Sequence, residues 1–267
     1  MRNIKVLLLL LIFSVVSILT GAQDMEPSYQ ILIAVPVETY PHDENAFTQG
    51  LVVEGDFFYE STGRYGESSL RKVEIETGEV LQSLALSDTV FAEGLALVDD
   101  TLIQITWKAG EAYYYDKETF ELKETFTYEG EGWGICYDGE FLFMSNGSNL
   151  ISVRDPQSFE ELQTIEINLG TQPVMNINEL ECIGDYIFAN IWQTEAIIII
   201  NKLTGSVDSV IFAQDFYTEK DDPIHRDPGA VLNGIAFDVE NDLLYLTGKN
   251  WDQVFQVNLV EYKAREE

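Results

Sequence analysis

Two pentapeptides nearly repeat one another: FTQGL at residues 47–51 and FAEGL at residues 91–95. The frame is kept while its central residue changes from Gln49 to Glu93. The surrounding pattern recurs. FTQGLVVEGDFFYESTG begins at Phe47, FAEGLALVDDTLIQITWK at Phe91, GEGWGICYDGEFLFMSNG at Gly130, INELECIGDYIFANIW at Ile177 and LNGIAFDVENDLLYLTGKNW at Leu232. Each copy has a small or polar entry, an apolar alternation, an acidic or glycine turn and an aromatic-rich run. That is the signature of two strands joined by a tight turn.

A third strand follows each copy (SLRKVEIETGE, AYYYDKETFE, LISVRDPQSFE, AIIIINKLTGS, QVFQVNLVE), and the first four run into turn-forming residues. A fourth, such as VLQSLAL or ELKETFTY, leads into the next copy. Aligned on Gly50, Gly94, Gly134, Glu179 and Gly234, the copies lie 44, 40, 45 and 55 residues apart. Four strands in about 40–45 residues is the period of a propeller blade. The expected fold is therefore all-β, a five-bladed β-propeller in one domain; a β-sandwich is the competing architecture. The last copy lacks a fourth strand, and a lone strand, Gln30–Val37, precedes the first. We expect the N-terminal strand to pair with the C-terminal blade and close the ring, which removes exposed sheet edges. The long last interval contains an Asp- and Pro-rich insertion, Gln214–Ala230, read as a surface loop.

Residues 1–22 read as a secretory signal peptide: Arg2 and Lys5, an apolar run Val6–Leu19, then Thr20-Gly21-Ala22. The run is short for a membrane span, although an uncleaved anchor is the alternative. The domain is then 23–267, secreted or periplasmic, and monomeric. Removing Arg2 and Lys5 leaves 13 basic against 46 acidic residues, a net charge of −33. Such a chain repels phosphate and is not a nucleic-acid binder. If cleavage follows Ala22, Gln23 becomes the first residue. Cys136 and Cys182 sit in apolar strand-like runs and read as buried free thiols. They are too few for a metal centre. His42 and His225, in Asp/Pro-containing loops, read as solvated.

First strands of propeller blades line the central axis, so the residue before each anchor occupies an equivalent place. That slot holds Gln49, Glu93, Trp133, Asn178 and Asn233. Mostly different side chains at equivalent places turn a symmetric scaffold into an asymmetric pocket. The ends of the second strands supply another ring: Glu60, Trp107, Asn146, Trp192, and Lys249 with Trp251. Phe47 and Phe91 precede Gln49 and Glu93 by two residues and so share their face. The expectation is an aromatic-walled cavity with one carboxylate, one amine and several amides. Bland roles compete: a Glu93–Lys249 salt bridge, asparagines capping strand ends, a tryptophan in the core, Glu60 holding a turn.

PHDENAFTQGL, YESTGRYGESSLRKV, FAEGL, TWK, EGWG, NELE, ANIWQT, LNGIAFD and TGKNW, in that order, resemble the plant and bacterial type of glutaminyl-peptide cyclotransferase, from Pro41 to Val257. The resemblance implies a five-bladed propeller without catalytic zinc that converts N-terminal glutamine of peptides or proteins to pyroglutamate and releases ammonia. It makes Glu93 the catalytic acid/base. It matches Phe47, Gln49, Phe91, Trp107, Trp133, Asn178, Trp192 and Lys249 to pocket positions. Ala92 and Gln49 replace a Gly and a Glu found in some relatives. No cofactor is expected; a structural calcium ion on the axis is left open. Alternatives are a calcium-dependent, lactonase-like propeller hydrolase and a non-enzymatic periplasmic binding propeller.

Overall fold

The computed structural model describes residues 29–218 and 220–263. Apart from one 3₁₀ turn, Pro223–His225, the regular elements among them are strands. The repeat unit folds as expected, into an antiparallel meander of four strands. The first is β2–β5 (Thr48–Glu54, Phe57–Thr62, Ser69–Glu74, Val80–Ala85). The second is β6–β9 (Ala92–Val98, Thr101–Thr106, Glu111–Asp116, Leu122–Thr127) and the third β10–β13 (Ile135–Tyr137, Leu142–Ser145, Leu150–Arg154, Glu161–Glu166). A two-stranded hairpin, β14 and β15 (Asn168–Leu169, Gln172–Pro173), precedes β16–β19 (Ile177–Ile183, Tyr186–Ile191, Ala196–Asn201, Val207–Phe212). The chain ends with β20–β22 (Leu232–Asp238, Leu243–Gly248, Gln253–Glu261).

β1 (Gln30–Pro41) completes that last set. It pairs antiparallel with β22 from Leu32↔Glu261 to Pro41↔Gln253, as the missing fourth strand required. β1 also runs parallel to β19 over Gln30–Ile33, which joins two meanders into one eight-stranded sheet. That second pairing has no signal in the repeat.

First strands touch in succession: β2 with β6, β6 with β10, β10 with β16, β16 with β20, and β20 with β2. The anchor glycines permit this approach. A Cβ on Gly94 would lie 2.6 Å from the Ile135 nitrogen, and one on Gly134 would lie 2.1 Å from the Asn178 carbonyl oxygen. Any side chain there forces adjacent sheets apart. Apolar residues fill the space between sheets; Ala96, Ile103 and Ile105 of one pack with Ile135, Leu142 and Met144 of the next. Turn lysines bridge the outside: Lys117 reaches Glu54 at 2.8 Å and Lys202 reaches Asp138 at 2.7 Å.

Where the anchor is not glycine, Glu179 is enclosed at 1% exposure. Its Oε2 accepts from the Ile235 N–H at 3.0 Å, and Glu181 Oε1 accepts from the Phe237 N–H at 3.0 Å. Burial pushes Glu179 well above its usual range, and the neighbouring Glu181 charge adds to this. Burial raises Glu181 to about 8, against the pull of the Phe237 and Cys182 N–H groups.

Three expectations are corrected. Cys136 and Cys182 are not free thiols; they form a disulfide with Cα atoms 5.4 Å apart. They lie 46 residues apart, about one repeat, on β10 and β16, which are neighbours. His42 is not solvated. Its side chain is 4% exposed and lies 3.0 Å from Glu60 Oε1 and 2.7 Å from the Trp251 carbonyl. Thr48 Oγ1 donates to the same Glu60 oxygen at 2.7 Å. The reason is positional: His42 follows β1 directly, at the seam between the first and last meanders. Trp251 belongs to no collar. It packs with Phe216, Tyr217 and Phe255 inside the core and donates to the Ala230 carbonyl at 3.1 Å. His225 is exposed, as read from the sequence. The signal-peptide reading and Gln23 lie outside the described residues. Among the described residues, no helix is long and apolar enough to cross a membrane.

Candidate active site

Gln49, Glu93, Asn178 and Asn233 sit on first strands, and Trp133 lies just before β10. The backbone at two of these slots is held by a hydroxyl of the preceding sheet. Ser61, near the end of β3, donates to the Glu93 carbonyl. Ser145, at the end of β11, donates to the Asn178 carbonyl at 2.6 Å. Gln104 Nε2 in turn donates to Ser61 Oγ at 2.8 Å. Small hydroxyl residues there set the height of the next slot residue without filling its space.

Glu93 is 5% exposed, on β6. Burial pushes its carboxyl well above the usual range. The Lys249 cation and the Gln49 amide pull it back, while Glu131 adds to the rise. Lys249 follows the last residue of β21 and is 3% exposed. Burial takes its ammonium down to about 8; Glu93 opposes that shift and Arg64 adds to it. The two buried opposite charges thus both lean toward neutrality, because each loses hydration that the other only partly replaces. Lys249 Nζ lies 4.9 Å from the Phe47 ring centroid.

The aromatic wall is a chain of edge-to-face contacts. Phe47 meets Phe91 at 6.2 Å, and Phe91 meets Trp107 at 5.6 Å and Tyr65 at 5.4 Å. Trp133 meets Trp192 at 5.6 Å. Gly63 makes room for it: a Cβ there would stand 2.4 Å from Phe91 and 2.9 Å from Gln49. The two tryptophans Trp107 and Trp133 are tied together by Glu131, whose Oε2 accepts both indole N–H groups, at 2.7 and 3.1 Å.

The amides divide. Asn233 Nδ2 donates to the Thr48 carbonyl at 2.9 Å and to Gln49 Oε1 at 3.3 Å, so it holds backbone and orients Gln49. Asn178 Oδ1 is buried with no partner among the described residues. Asn233 Oδ1 is left open in the same way, and a buried acceptor without a partner calls for an explanation. In the outer ring, Asn146 turns to solvent and accepts from Ser148, and Glu60 is committed to His42 and Thr48. Among the described residues, no group of three or more His, Cys, Asp or Glu converges as a metal site.

The glutamine cyclotransferase family model matches residues 7–259. The chain belongs to the glutamine cyclotransferase family. It is 34% identical over 248 residues to the glutaminyl-peptide cyclotransferase of Arabidopsis thaliana, an alignment spanning 92% of this chain and 77% of that one. The crystal structure of Myxococcus xanthus glutaminyl cyclase superposes with a TM-score of 0.82 at 35% identity, over 88% of this chain and 100% of that one.

Glu131, Tyr65 and Arg64 were not singled out in the sequence, although all three lie inside the motifs EGWG and YESTGRYGESSLRKV that carry the cyclotransferase resemblance. Glu131 was legible in principle: it stands two residues before Trp133, on the same side of an extended chain. Arg64 depends on partners 163 and 186 residues away and gives no local signal.

Proposed function

We propose that this pocket carries out the cyclotransferase reaction, closing an N-terminal glutamine to pyroglutamate with loss of ammonia, and that Glu93 moves the proton. The enzyme is an acyltransferase acting on its substrate's own amine. The α-amine nitrogen attacks the γ-carboxamide carbon, and a C–N bond forms in a five-membered ring. The amine proton passes to Glu93 and from there to the amide nitrogen. The old C–N bond then breaks and NH₃ leaves. Proximity comes from the substrate; proton handling does not. A free α-amine has a pKa of about 7.7–8.0, so most of it arrives protonated at neutral pH. Apolar aromatic walls favour its neutral form. A carboxyl whose affinity for protons is raised by burial can both take and return one, and such general acid–base action is typically worth about 10²–10⁴-fold.

The observation that carries this reading is the juxtaposition of Glu93 and Lys249, both buried, behind an aromatic wall. Lys249 is the group best suited to the amide oxygen as charge develops there, since its ammonium faces Phe47 rather than a carboxylate partner within 4.0 Å. Gln49 is engaged by Asn233 and Glu93. Asn178 Oδ1 is the natural acceptor for a substrate N–H. Phe47, Phe91, Trp107, Trp133 and Trp192 take the side-chain methylenes and exclude the water that would hydrolyse the amide.

The architecture is read as one five-bladed propeller over residues 23–267, supported by the circular succession of first-strand contacts and the β1–β22 pairing. A disulfide supports an exported, oxidising location. The monomeric state and the absence of a catalytic metal remain part of the same proposal.

The test is Glu93→Gln, assayed on a Gln-initiated peptide for ammonia and for the mass loss of NH₃. We expect the rate to fall at least about 100-fold with an unchanged unfolding transition. Retention of more than about a tenth of the rate would remove Glu93 from the role.

A further inference from the structure

Residues 214–230 stand between β19 and β20, and their far end reaches the pocket rim. The segment is pinned by Phe216 and Tyr217, which pack on Trp251 and Phe255. After the 3₁₀ turn, Asp227 caps its own loop by accepting from the Gly229 N–H at 2.8 Å. Its other oxygen, Oδ2, lies 2.6 Å from Arg64 Nη2. The same Nη2 donates to Asn250 Oδ1 at 3.0 Å, and Asn250 directly follows Lys249. The guanidinium carbon lies 4.4 Å from the Phe47 ring centroid, the ring that Lys249 Nζ also faces. Arg64 holds φ at 83°, a left-handed conformation that a residue with a Cβ keeps only when its surroundings enforce it.

We propose that Arg64 is a positioning residue for the cyclisation: Asp227 aims its guanidinium onto Phe47 and onto the turn that delivers Lys249, so the insertion fixes the placement of the pocket's amine. The proposal rests on the reading of Lys249 as a pocket cation. Its consequences are electrostatic as well as steric. Lys249 is faced by Glu93 from β6 and by Arg64 from the loop between β3 and β4. Behind Arg64 stand Asp227 and, at 4.0 Å from Nη1, the exposed Glu67. Asn250, beside Lys249, donates to the Glu44 carbonyl at 3.0 Å, and Glu44 itself pairs with Arg226 of the insertion. Arg64 disfavours the charged form of Lys249, and Asp227 tempers Arg64.

Arg64→Met and Asp227→Asn therefore have opposite effects on the same group. The experiment is kcat against pH at saturating Gln-peptide for the wild type and both variants, beside their unfolding midpoints. Using kcat keeps the free substrate's amine out of the profile. The alkaline limb is expected to move up by about half a pH unit in Arg64→Met and down by a similar amount in Asp227→Asn. Arg64→Lys, which keeps the charge but not the fork, leaves the limb in place and lowers kcat. Shifts of the same sign, or none, in folded variants overturn the proposal, as does a Lys249→Met enzyme with the wild-type limb. A wild-type protein that releases no ammonia would instead overturn the assigned reaction.

Discussion

The Trp107 indole nitrogen donates a 2.7 Å hydrogen bond to Glu131 Oε2, and that oxygen also takes the Trp133 N–H. One carboxylate therefore sets the orientation of two indoles. Lys108, 3.5 Å from Glu131 Oε1 and 3.8 Å from the Trp107 ring centroid, closes the arrangement on its outer side. Burial alone would raise the Glu131 pKa, but the two indole bonds and Lys108 outweigh it and hold the carboxylate in its charged form.

Loss of that acceptor should be felt in substrate binding before chemistry. Glu131→Ala frees both indoles, each of which loses a charge-assisted bond. We expect KM for a Gln-peptide to rise about tenfold or more, with kcat changed much less. Steady-state kinetics decides it; an equal fall in kcat with KM unchanged would place Glu131 in the chemical step.

His42 and Glu60 form a buried ion pair across the seam closed by β1. Burial opposes the charge on His42, but Glu60 outweighs it and lifts the His42 pKa above 6.5. Burial likewise opposes charge on Glu60, and His42 outweighs it and lowers Glu60 below 4.5. The sign follows. His42 contributes stability fully present below pH 6.5 and lost as pH rises through its folded value. Glu60 contributes stability present above pH 4.5 and lost as pH falls through its folded value. Glu60→Gln should cost about 3–5 kcal/mol near pH 5.5, by leaving a buried imidazolium unpaired, and less at alkaline pH. Urea midpoints across pH test this.

Glu179 and Glu181 work in the other direction. Their folded pKa values are raised, so the folded state holds protons that the unfolded chain releases above about 4.5. Stability falls as pH rises from there through about 8, the value reached by Glu181. Glu181→Gln keeps an oxygen for the Phe237 N–H and should flatten the melting temperature over that interval. An unchanged slope would mean that Glu181 is ionised at no stability cost.

The Cys136–Cys182 disulfide closes a loop with a sequence separation of 46. Chain-entropy arguments give such a cross-link about 4 kcal/mol. The double Cys→Ser variant should therefore unfold at a clearly lower denaturant concentration while retaining cyclisation, since neither cysteine lines the pocket. Denaturant titration with and without reductant measures the same quantity in the wild type.

The strand repeat was legible because it is written locally. A period-2 apolar pattern, a turn residue and an anchor glycine specify each meander, and the missing fourth strand of the last one predicts the β1–β22 pairing. The slot was legible for the same reason: equivalent positions in a repeat can be read off by alignment, which brought Gln49, Glu93, Trp133 and Asn178 forward. The resemblance added the family. What misled was composition without location. His42 in an Asp/Pro loop looks solvated until β1 is seen to close the molecule over it. Two cysteines in apolar strands look like free thiols until one repeat's rotation sets β10 beside β16. Trp251 aligns with the collar, yet the insertion's Phe216 and Tyr217 draw it into the core.

By itself the sequence determined the repeating four-strand meander and the β1–β22 seam, because these follow from short-range periodicity and turn chemistry; the β14–β15 hairpin and the β1–β19 pairing lie outside that repeat. Only the tertiary structure decided what the side chains do to one another. Arg64 meets Asp227 and Asn250, Glu131 gathers two indoles, and Glu93 and Lys249, both buried, act on one another's charge. Apart from Glu131 and Trp133, two positions apart, these bring together residues tens to nearly two hundred positions apart, and their energies depend on burial and on distances of a few ångströms that no local pattern encodes.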